Sequence, residues 1–550
     1  MANTTTLDRT PTVNPTPSRT MVVLVADKLA PECVTILEEA GIEVRVQQGL
    51  TPDELKTAAA DVDGILVRSA SKIPENLIAE APLLKAVGRA GIGVDNIDVA
   101  AASRHGVLVM NTPTANAITT GELAIAHLFA LARHIPEADA SMREGRWDKG
   151  ALVGSEVTGK VFLVIGLGKI GRVVAERAVG LGMKVLAHDP FIQGPCPVKG
   201  AELASWEEGL GAADFISVHV PKNKDTLGLL DKNAFALMKS GARLINCARG
   251  GIVVEEDLIA ALGDGTLAGA ALDVYETEPL PEESNLRGVP NLHLTPHLGA
   301  SSDEAQQRVS VEIAEQMRDY LLQGEARNGL NAPSLSAEAL TALRPYLSLA
   351  RRCGLFLAQT ANEAVDRLEI SYGGELGESD TEPLRIAVIA GLLAPTLDGP
   401  VNAVNAPLLA TERGWKILEE HPPAKEGIPN LLRVVATTTS GATFRVAGTV
   451  FQGQPRLVRF GGFGVDFIPE GNLLLTRHRD EPGVLGTVAT LLGEWGVNIG
   501  GLHMGQVEDG GTEELALALY QISRPLSAEE ENHLAALGAL VMARSISMEG

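Results

Sequence analysis

The stretch Lys160–Arg172, "KVFLVIGLGKIGR", decides how the rest of the chain is read. An apolar run reads as a strand. Gly166, Gly168 and Gly171 follow it in GxGxxG spacing, and Lys169 and Ile170 open a helix. The spacing alone is a weak signal in a chain with 58 glycines. The strand before it and the helix after it make it specific. The first glycine permits a tight turn, the second lets a pyrophosphate approach the backbone, and the third lets helix and strand pack closely. The helix N-terminus then faces the phosphates. The next strand, "KVLAHD", ends in Asp189, where an acid bonds ribose hydroxyls and repels the extra phosphate of NADP. These residues predict an NAD site. "GRAGIGVD" and "FGGFGVD" are decoys with the wrong spacing.

Around this stretch, apolar strands alternate with single helices, which predicts an α/β fold with parallel sheets covered on both faces. One block runs from "MVVLVAD" at Met21 through "VLVMN"; the second runs from "KVFLVIGLGKIG" through "NLHLTPH". A long apolar helix, from about Thr119 to Arg143, separates them and is predicted to be buried between bodies or in a subunit interface. "SSDEAQQRVSVEIAEQMRDYLLQ" reads as a serine-capped helix returning to the first block. The expected core is thus two-lobed and doubly wound. One lobe comprises 21–118 with 301–335; the NAD-binding Rossmann lobe comprises 119–300. Residues 336–470 read as a mixed α+β domain. Residues 471–550 read as βαββαβ, a ferredoxin-like plan. Residues 1–20 carry three prolines and no apolar core, and are expected to be a disordered tail rather than a secretory signal.

The composition narrows the function. A net charge of −23 argues against nucleic acid or an anionic membrane as the main partner. Four scattered cysteines form no CxxC pair, which fits a reducing cytoplasm with neither a disulfide framework nor a metal cluster. No apolar run reaches transmembrane length.

Arg249 closes the strand in "RLINCARGG", just before Gly250 and Gly251; Glu278 lies beyond another in "DVYETEP"; His297 ends the last in "LTPHLGAS". Each alone has an ordinary reading, as a strand end, a solvated acid or a satisfied core histidine. All three nevertheless follow carboxyl ends of parallel strands, where α/β ligands bind. "VIGLGKIGR", "NCARGG", "DVYETEP" and "TPHLGAS" together resemble the D-isomer-specific 2-hydroxyacid dehydrogenases over about residues 21–335. By that resemblance Arg249, Glu278 and His297 are catalytic. A guanidinium bonds the carboxylate and C2 oxygen of a hydroxy acid. His297 takes the hydroxyl proton, and Glu278 orients and charges the imidazole. The resemblance also implies cofactor contacts at Ile92, Val220, Cys247, Ala248, Leu298, Gly299 and Ala300, with Asp273 holding the nicotinamide amide.

"RAGIGVDNID", "NTPTANA", "VRSASK" and "REGRWDKG" resemble the phosphoglycerate branch of that family. They imply substrate contacts at Arg68, Ser69, Gly91, Asn116 and Arg146, with arginine meeting phosphate partly across a dimer interface. "RHRDEPGVLG" with "GVNI" looks like an ACT domain, and 336–470 looks like the intervening domain of the long-form members. The implied reaction is oxidation of 3-phospho-D-glycerate to 3-phosphohydroxypyruvate by NAD, the entry to serine synthesis, in a homodimer or homotetramer. L-serine is the implied effector, at His478, Asp480 and Asn498. The competing readings are a hydroxypyruvate or glyoxylate reductase, against which the tail domains argue, and an NADH-sensing scaffold on the same core.

Overall fold

The computed structural model describes residues 19–548, apart from 334, 336, 362, 398, 424–429 and 508–514. Most of the tail expected over 1–20 therefore lies outside the described residues. Strands β1 (Val22–Val25), β2 (Glu43–Val46), β3 (Gly64–Val67), β4 (Ala86–Arg89) and β5 (Leu108–Asn111) form one parallel sheet, in the order β2-β1-β3-β4-β5. β1, β3 and β5 are buried along their whole length, which is why they read as apolar runs, broken only by Asn111 at the end of β5.

The second sheet is parallel and has seven strands: β6 (Val161–Ile165), β7 (Lys184–His188), β8 (Ala201–Leu203), β9 (Phe215–Val218), β10 (Ala242–Asn246), β11 (Leu267–Leu272) and β12 (Leu292–Leu294). The order β12-β11-β10-β9-β6-β7-β8 reverses between β6 and β9, beside the glycine turn, and that switch point is where an α/β sheet opens a crevice. Strand β8 had no sequence signal, because three residues at an edge carry no period.

The single helix expected from Thr119 to Arg143 is two helices, Ala117–Arg133 and Ile135–Arg143. Pro136 explains the break. It has no N–H to give Ala132, whose carbonyl instead accepts from Ser155 N–H at 2.9 Å, and His134 turns through a left-handed φ of 51°. The first helix packs on the second sheet's lobe, where a side chain at Gly121 would meet Val173 at 2.8 Å. The helix Asp303–Gln323, capped by Ser302, returns to the first sheet. It crosses β4 at Gly88, whose missing Cβ would lie 2.8 Å from Ile313. The start of the first helix meets the cap of the second where the Thr119 and Ser302 hydroxyls lie 3.2 Å apart, and Thr120 donates its hydroxyl to Gly299 O in the preceding loop at 2.7 Å.

Beyond residue 336 the chain builds one ten-stranded sheet from β13 (Val365–Tyr372), β14 (Lys416–Glu420), β15 (Leu432–Thr438), β16 (Thr443–Phe451), β17 (Gln454–Phe460), β18 (Phe463–Phe467), β19 (Asn472–Arg479), β20 (Ile499–Val507), β21 (Leu515–Ile522) and β22 (Leu540–Ser547). The "FGGFG" glycines turn the β17–β18 hairpin. The last four strands, with helices Val484–Glu494 and Ala528–Ala535, make the βαββαβ unit. It joins the rest through a short β18–β20 pairing.

The helix-free face of that unit explains the junction. Leu473, Leu475, Leu517, Leu519 and Ile546 are apolar and need cover, and they share one core with Phe356, Leu368 and Val434. The helix Ala337–Ala361 covers it, and the helix Glu382–Leu393 packs against that helix. They cross so closely that a Cβ at Gly391 would stand 2.0 Å from Arg351 O.

Candidate active site

The glycine turn has the shape a dinucleotide needs. Gly166 takes φ 90°, and a Cβ there would strike His219 O at 2.7 Å and the side chain of Val220. A Cβ at Gly171 would stand 1.9 Å from Gly166 O, so helix and strand close only around glycine. At Gly168, the N-cap of the helix Lys169–Gly180, a Cβ would meet nothing within 4 Å. The middle glycine therefore fronts open space at a helix N-terminus, which fits a pyrophosphate. Asp189 braces this turn, its carboxylate accepting from Leu167 N–H at 2.9 Å and Phe191 N–H at 3.0 Å.

Glu278 and His297 meet across 19 residues, with His297 Nδ1 2.6 Å from Glu278 Oε2. Glu278 Oε1 accepts from Tyr275 N–H at 3.0 Å, so both carboxylate oxygens are held. Burial opposes the charge on Glu278, but His297 and the Tyr275 amide outweigh it and hold the carboxyl below the usual range. His297 sits at φ 55°, a strained conformation for a residue with a Cβ. Fully buried Asp273 maintains that turn by accepting from Leu298 N–H at 2.7 Å, Gly299 N–H at 2.8 Å and the Thr295 hydroxyl at 2.6 Å. Its contacts here are thus to the His297 loop, which carries Leu298, Gly299 and Ala300.

Arg249 follows β10, where Asn246 Nδ2 donates to its carbonyl at 3.1 Å. Gly250 has to be glycine, since a Cβ would lie 1.6 Å from Tyr275 O. The guanidinium donates from Nη1 to Ala248 O at 2.7 Å and from Nε to Asp95 Oδ2 at 3.0 Å. It lies against Gly93, where a Cβ would be 1.7 Å from Nη2. Cys247 and Ala248 are buried beneath, and burial pushes the Cys247 thiol up, which leaves it unreactive.

Sequence reasoning missed Arg89. This residue ends β4, and its guanidinium lies over Gly91 at φ 143°, where a Cβ would stand 1.5 Å from Nη1. Burial, then Arg249, then Arg68 lower its pKa to about 10. Arg68 and Arg249 therefore lie near enough for their charges to oppose that of Arg89. Arg89 Nε is buried without a hydrogen-bond partner, and Nη1 reaches only Ala90 O at 3.4 Å. The signal was slight: β4 ends in arginine before a glycine-rich loop, and nothing in the sequence sets that charge beside Arg249.

The other expected positions divide. Arg68 joins the cluster, with exposed Ser69 beside it. Ile92 gives its carbonyl to Asn111 Nδ2 at 2.6 Å. Asn116 is buried at the start of the helix Ala117–Arg133, and its Oδ1 has no partner. Arg146 stays apart from the cluster and pairs on its own loop with Glu144 and, at 2.9 Å, with Asp148. In the last unit His478 is 2% exposed inside β19, and its Nδ1 has no partner; Asp480 and Asn498 are exposed. Burial lowers the His478 pKa.

A Rossmann crevice, an imidazole–carboxylate pair and a guanidinium on one rim define an NAD-dependent dehydrogenase of D-2-hydroxy acids. Sequence profiles agree: that of the D-isomer specific 2-hydroxyacid dehydrogenase NAD-binding domain matches residues 125–299, and that of the D-3-phosphoglycerate dehydrogenase intervening domain matches 342–461. The chain is 42% identical to a D-3-phosphoglycerate dehydrogenase of Synechocystis, over 90% of each chain. It is 39% identical to one of Methanocaldococcus jannaschii, over 90% of this chain and 94% of that protein. The chain belongs to the D-3-phosphoglycerate dehydrogenase family. Among solved structures, the TT0316 protein of Thermus thermophilus matches with a TM-score of 0.53 and 35% identity, covering 56% of this chain and all of that one. A glyoxylate reductase of Paecilomyes thermophila matches with a TM-score of 0.53 and 27% identity, over 57% of this chain and 98% of that one.

Proposed function

We propose that the chain oxidises 3-phospho-D-glycerate to 3-phosphohydroxypyruvate, with Arg249, His297 and Glu278 as its catalytic residues. The observation that carries the substrate is the Arg68–Arg89–Arg249 cluster. Three arginines close enough to feel one another's charge, one of them buried with hardly a hydrogen bond of its own, suit a ligand with a carboxylate at one end and a phosphate at the other. A glycolate or glycerate site has no use for that much positive charge.

NAD, when bound, accepts the hydride from C2. Gly166, Gly168, Lys169, Ile170 and Gly171 would hold its pyrophosphate and Asp189 its adenosine ribose. Arg249 orients the substrate carboxylate and C2 oxygen. His297 Nε2 receives the C2 hydroxyl proton, because Nδ1 is committed to Glu278. The Glu278 carboxylate then stabilises the imidazolium. In the reverse direction the same proton returns to the C2 oxygen.

The test is NADH production from phosphoglycerate, glycerate and glycolate, on wild type and Arg249→Ala. Phosphoglycerate should be preferred, and the variant should lose about 3 kcal/mol of transition-state binding while retaining NADH affinity. Equal turnover of glycolate would refute the substrate assignment.

The same reading extends to assembly. The helices Ala117–Arg133 and Ile135–Arg143 and the loop after them leave Ile118, Ile135, Met142 and Trp147 exposed, the last at 79%. A homodimer pairing these faces would bring Arg146 toward the partner's phosphate site. The βαββαβ unit is read as an ACT domain binding L-serine through Asp480 and Asn498. His478 lines it from within, and the backbone N–H groups near Gly483 face the carboxylate. Serine calorimetry on wild type and Asn498→Ala tests this; absence of heat and of inhibition at millimolar serine overturns it. Among the described residues no helix is long and apolar enough to cross a membrane, and a cytoplasmic location belongs to the same proposal.

A further inference from the structure

The bond between Arg249 and Asp95 has a consequence for catalysis. Asp95 belongs to the first lobe, on the loop between β4 and the helix Val99–Arg104. Arg249 belongs to the second. Their contact, Nε to Oδ2 at 3.0 Å, is the one ion pair across the cleft among the described residues. The loop is pinned on both sides of Asp95. Asn111 Nδ2 donates to Ile92 O at 2.6 Å, while Asn96 Nδ2 donates to Arg68 O at 2.8 Å and Ser71 O at 2.6 Å. Asp95 itself is 66% exposed and takes no part in the core.

The chemistry of the guanidinium makes the position of that bond matter. Its donors form a planar fork, and which edge is free decides what it can recognise. Asp95 takes Nε, Ala248 O takes one Nη1 hydrogen, and the floor at Gly93 leaves room for Nη2. What remains for an anion is the Nη1–Nη2 edge. Without Asp95 the side chain would turn about its long stem and lose that presentation.

We propose that Asp95 is a positioning residue that presents Arg249 to the substrate, and that it does so across the cleft. Arg249 then has its binding orientation only when the two lobes stand at this separation, so lobe closure and substrate recognition are one event. The inference rests on Arg249 being the substrate arginine.

The experiment is a double-mutant cycle on the full-length enzyme: Asp95→Ala and Arg249→Lys singly and together, with Asp95→Asn as the conservative variant. Asp95→Ala should lower kcat/KM for phosphoglycerate about 10- to 100-fold, raising KM and lowering kcat together, with NADH affinity by fluorescence unchanged. Asp95→Asn, which still accepts from Nε, should recover most of the loss. In the Arg249→Lys background, where Nε and the fork are gone, Asp95→Ala should change kcat/KM by less than about twofold. Independent, multiplying effects would mean Asp95 acts elsewhere and would overturn the proposal. So would a lower KM in Asp95→Ala, which would make Asp95 a competitor of the substrate rather than a guide. If Arg249→Lys itself keeps wild-type kcat/KM, the arginine assignment fails and this inference falls with it. If Arg249→Lys collapses and Asp95→Ala does not, only this inference fails.

Discussion

Arg89→Met separates stability from function in opposite directions. The substitution keeps most of the apolar stem and removes a cation whose pKa has fallen from 12.5 to about 10. At about 1.4 kcal/mol per unit, the folded protein carries about 3 kcal/mol of cost for holding that charge. The sign follows from linkage. A cation with a depressed pKa is penalised at every pH below the depressed value, so the whole cost is present at pH 7 and is relieved only above about pH 10. Methionine forfeits the 3.4 Å contact to Ala90 O and some packing, which leaves a net gain of about 1–2 kcal/mol. In a domain of this size that raises the melting temperature by a few degrees, about 2–4 °C per kcal/mol. The same change should cost about 10- to 100-fold in kcat/KM for phosphoglycerate, chiefly through KM, because a charge-assisted contact to the anion is gone. Thermal unfolding with and without phosphoglycerate, beside steady-state kinetics, reads both effects. The wild type should be stabilised by substrate far more than the variant. A variant that melts lower than wild type while keeping its KM would refute the argument and make Arg89 a structural residue.

Glu278→Gln should keep the fold and move the fall in phosphohydroxypyruvate-reducing activity to lower pH, since imidazolium loses a partner that is itself partly exposed; an unchanged pH–rate profile counts against the pair. The depressed carboxyl of Glu278 contributes stability above its ordinary range that is lost as pH falls through its lowered value, so acid titration should unfold Glu278→Gln with a shallower pH dependence than wild type. Asp189→Ala should weaken NAD binding and narrow the preference over NADP, and equal use of the two cofactors by the wild type would show that Asp189 only braces Leu167 and Phe191. Gly250→Ala forces a Cβ against the Tyr275 carbonyl at 1.6 Å and should destabilise by about 3 kcal/mol or more, with loss of turnover; a folded, active variant would mean the β10 loop yields freely.

The sequence by itself determined the parts of this protein that depend on local period and local chemistry. Parallel strands covered on both faces must be mostly apolar, so β1, β3, β5, β6 and β9 stood out without any knowledge of their neighbours. GxGxxG between a strand and a helix constrains the backbone so tightly that the cofactor could be inferred, and the clash distances at Gly166 and Gly171 show why. Arg249, Glu278 and His297 were legible because all three follow carboxyl ends of parallel strands and lie in motifs that together resemble the D-isomer-specific 2-hydroxyacid dehydrogenases.

Tertiary structure alone decided what arises between segments far apart in the chain. Arg89 looked like one charge near a decoy glycine pattern until the sheet order set it beside Arg68 and Arg249. Asp95 and Arg249 are 154 residues apart, and no period links them. Asp273 was assigned to the cofactor, yet its buried carboxylate binds backbone N–H groups that exist as partners only once the His297 loop has closed. The last two units read as separate compositions, but the bare face of the βαββαβ sheet requires cover, and they share one core and one sheet. A sequence displays which groups cannot be left in water; which other group relieves each of them is set by the fold, because burial and charge act through space and not along the chain.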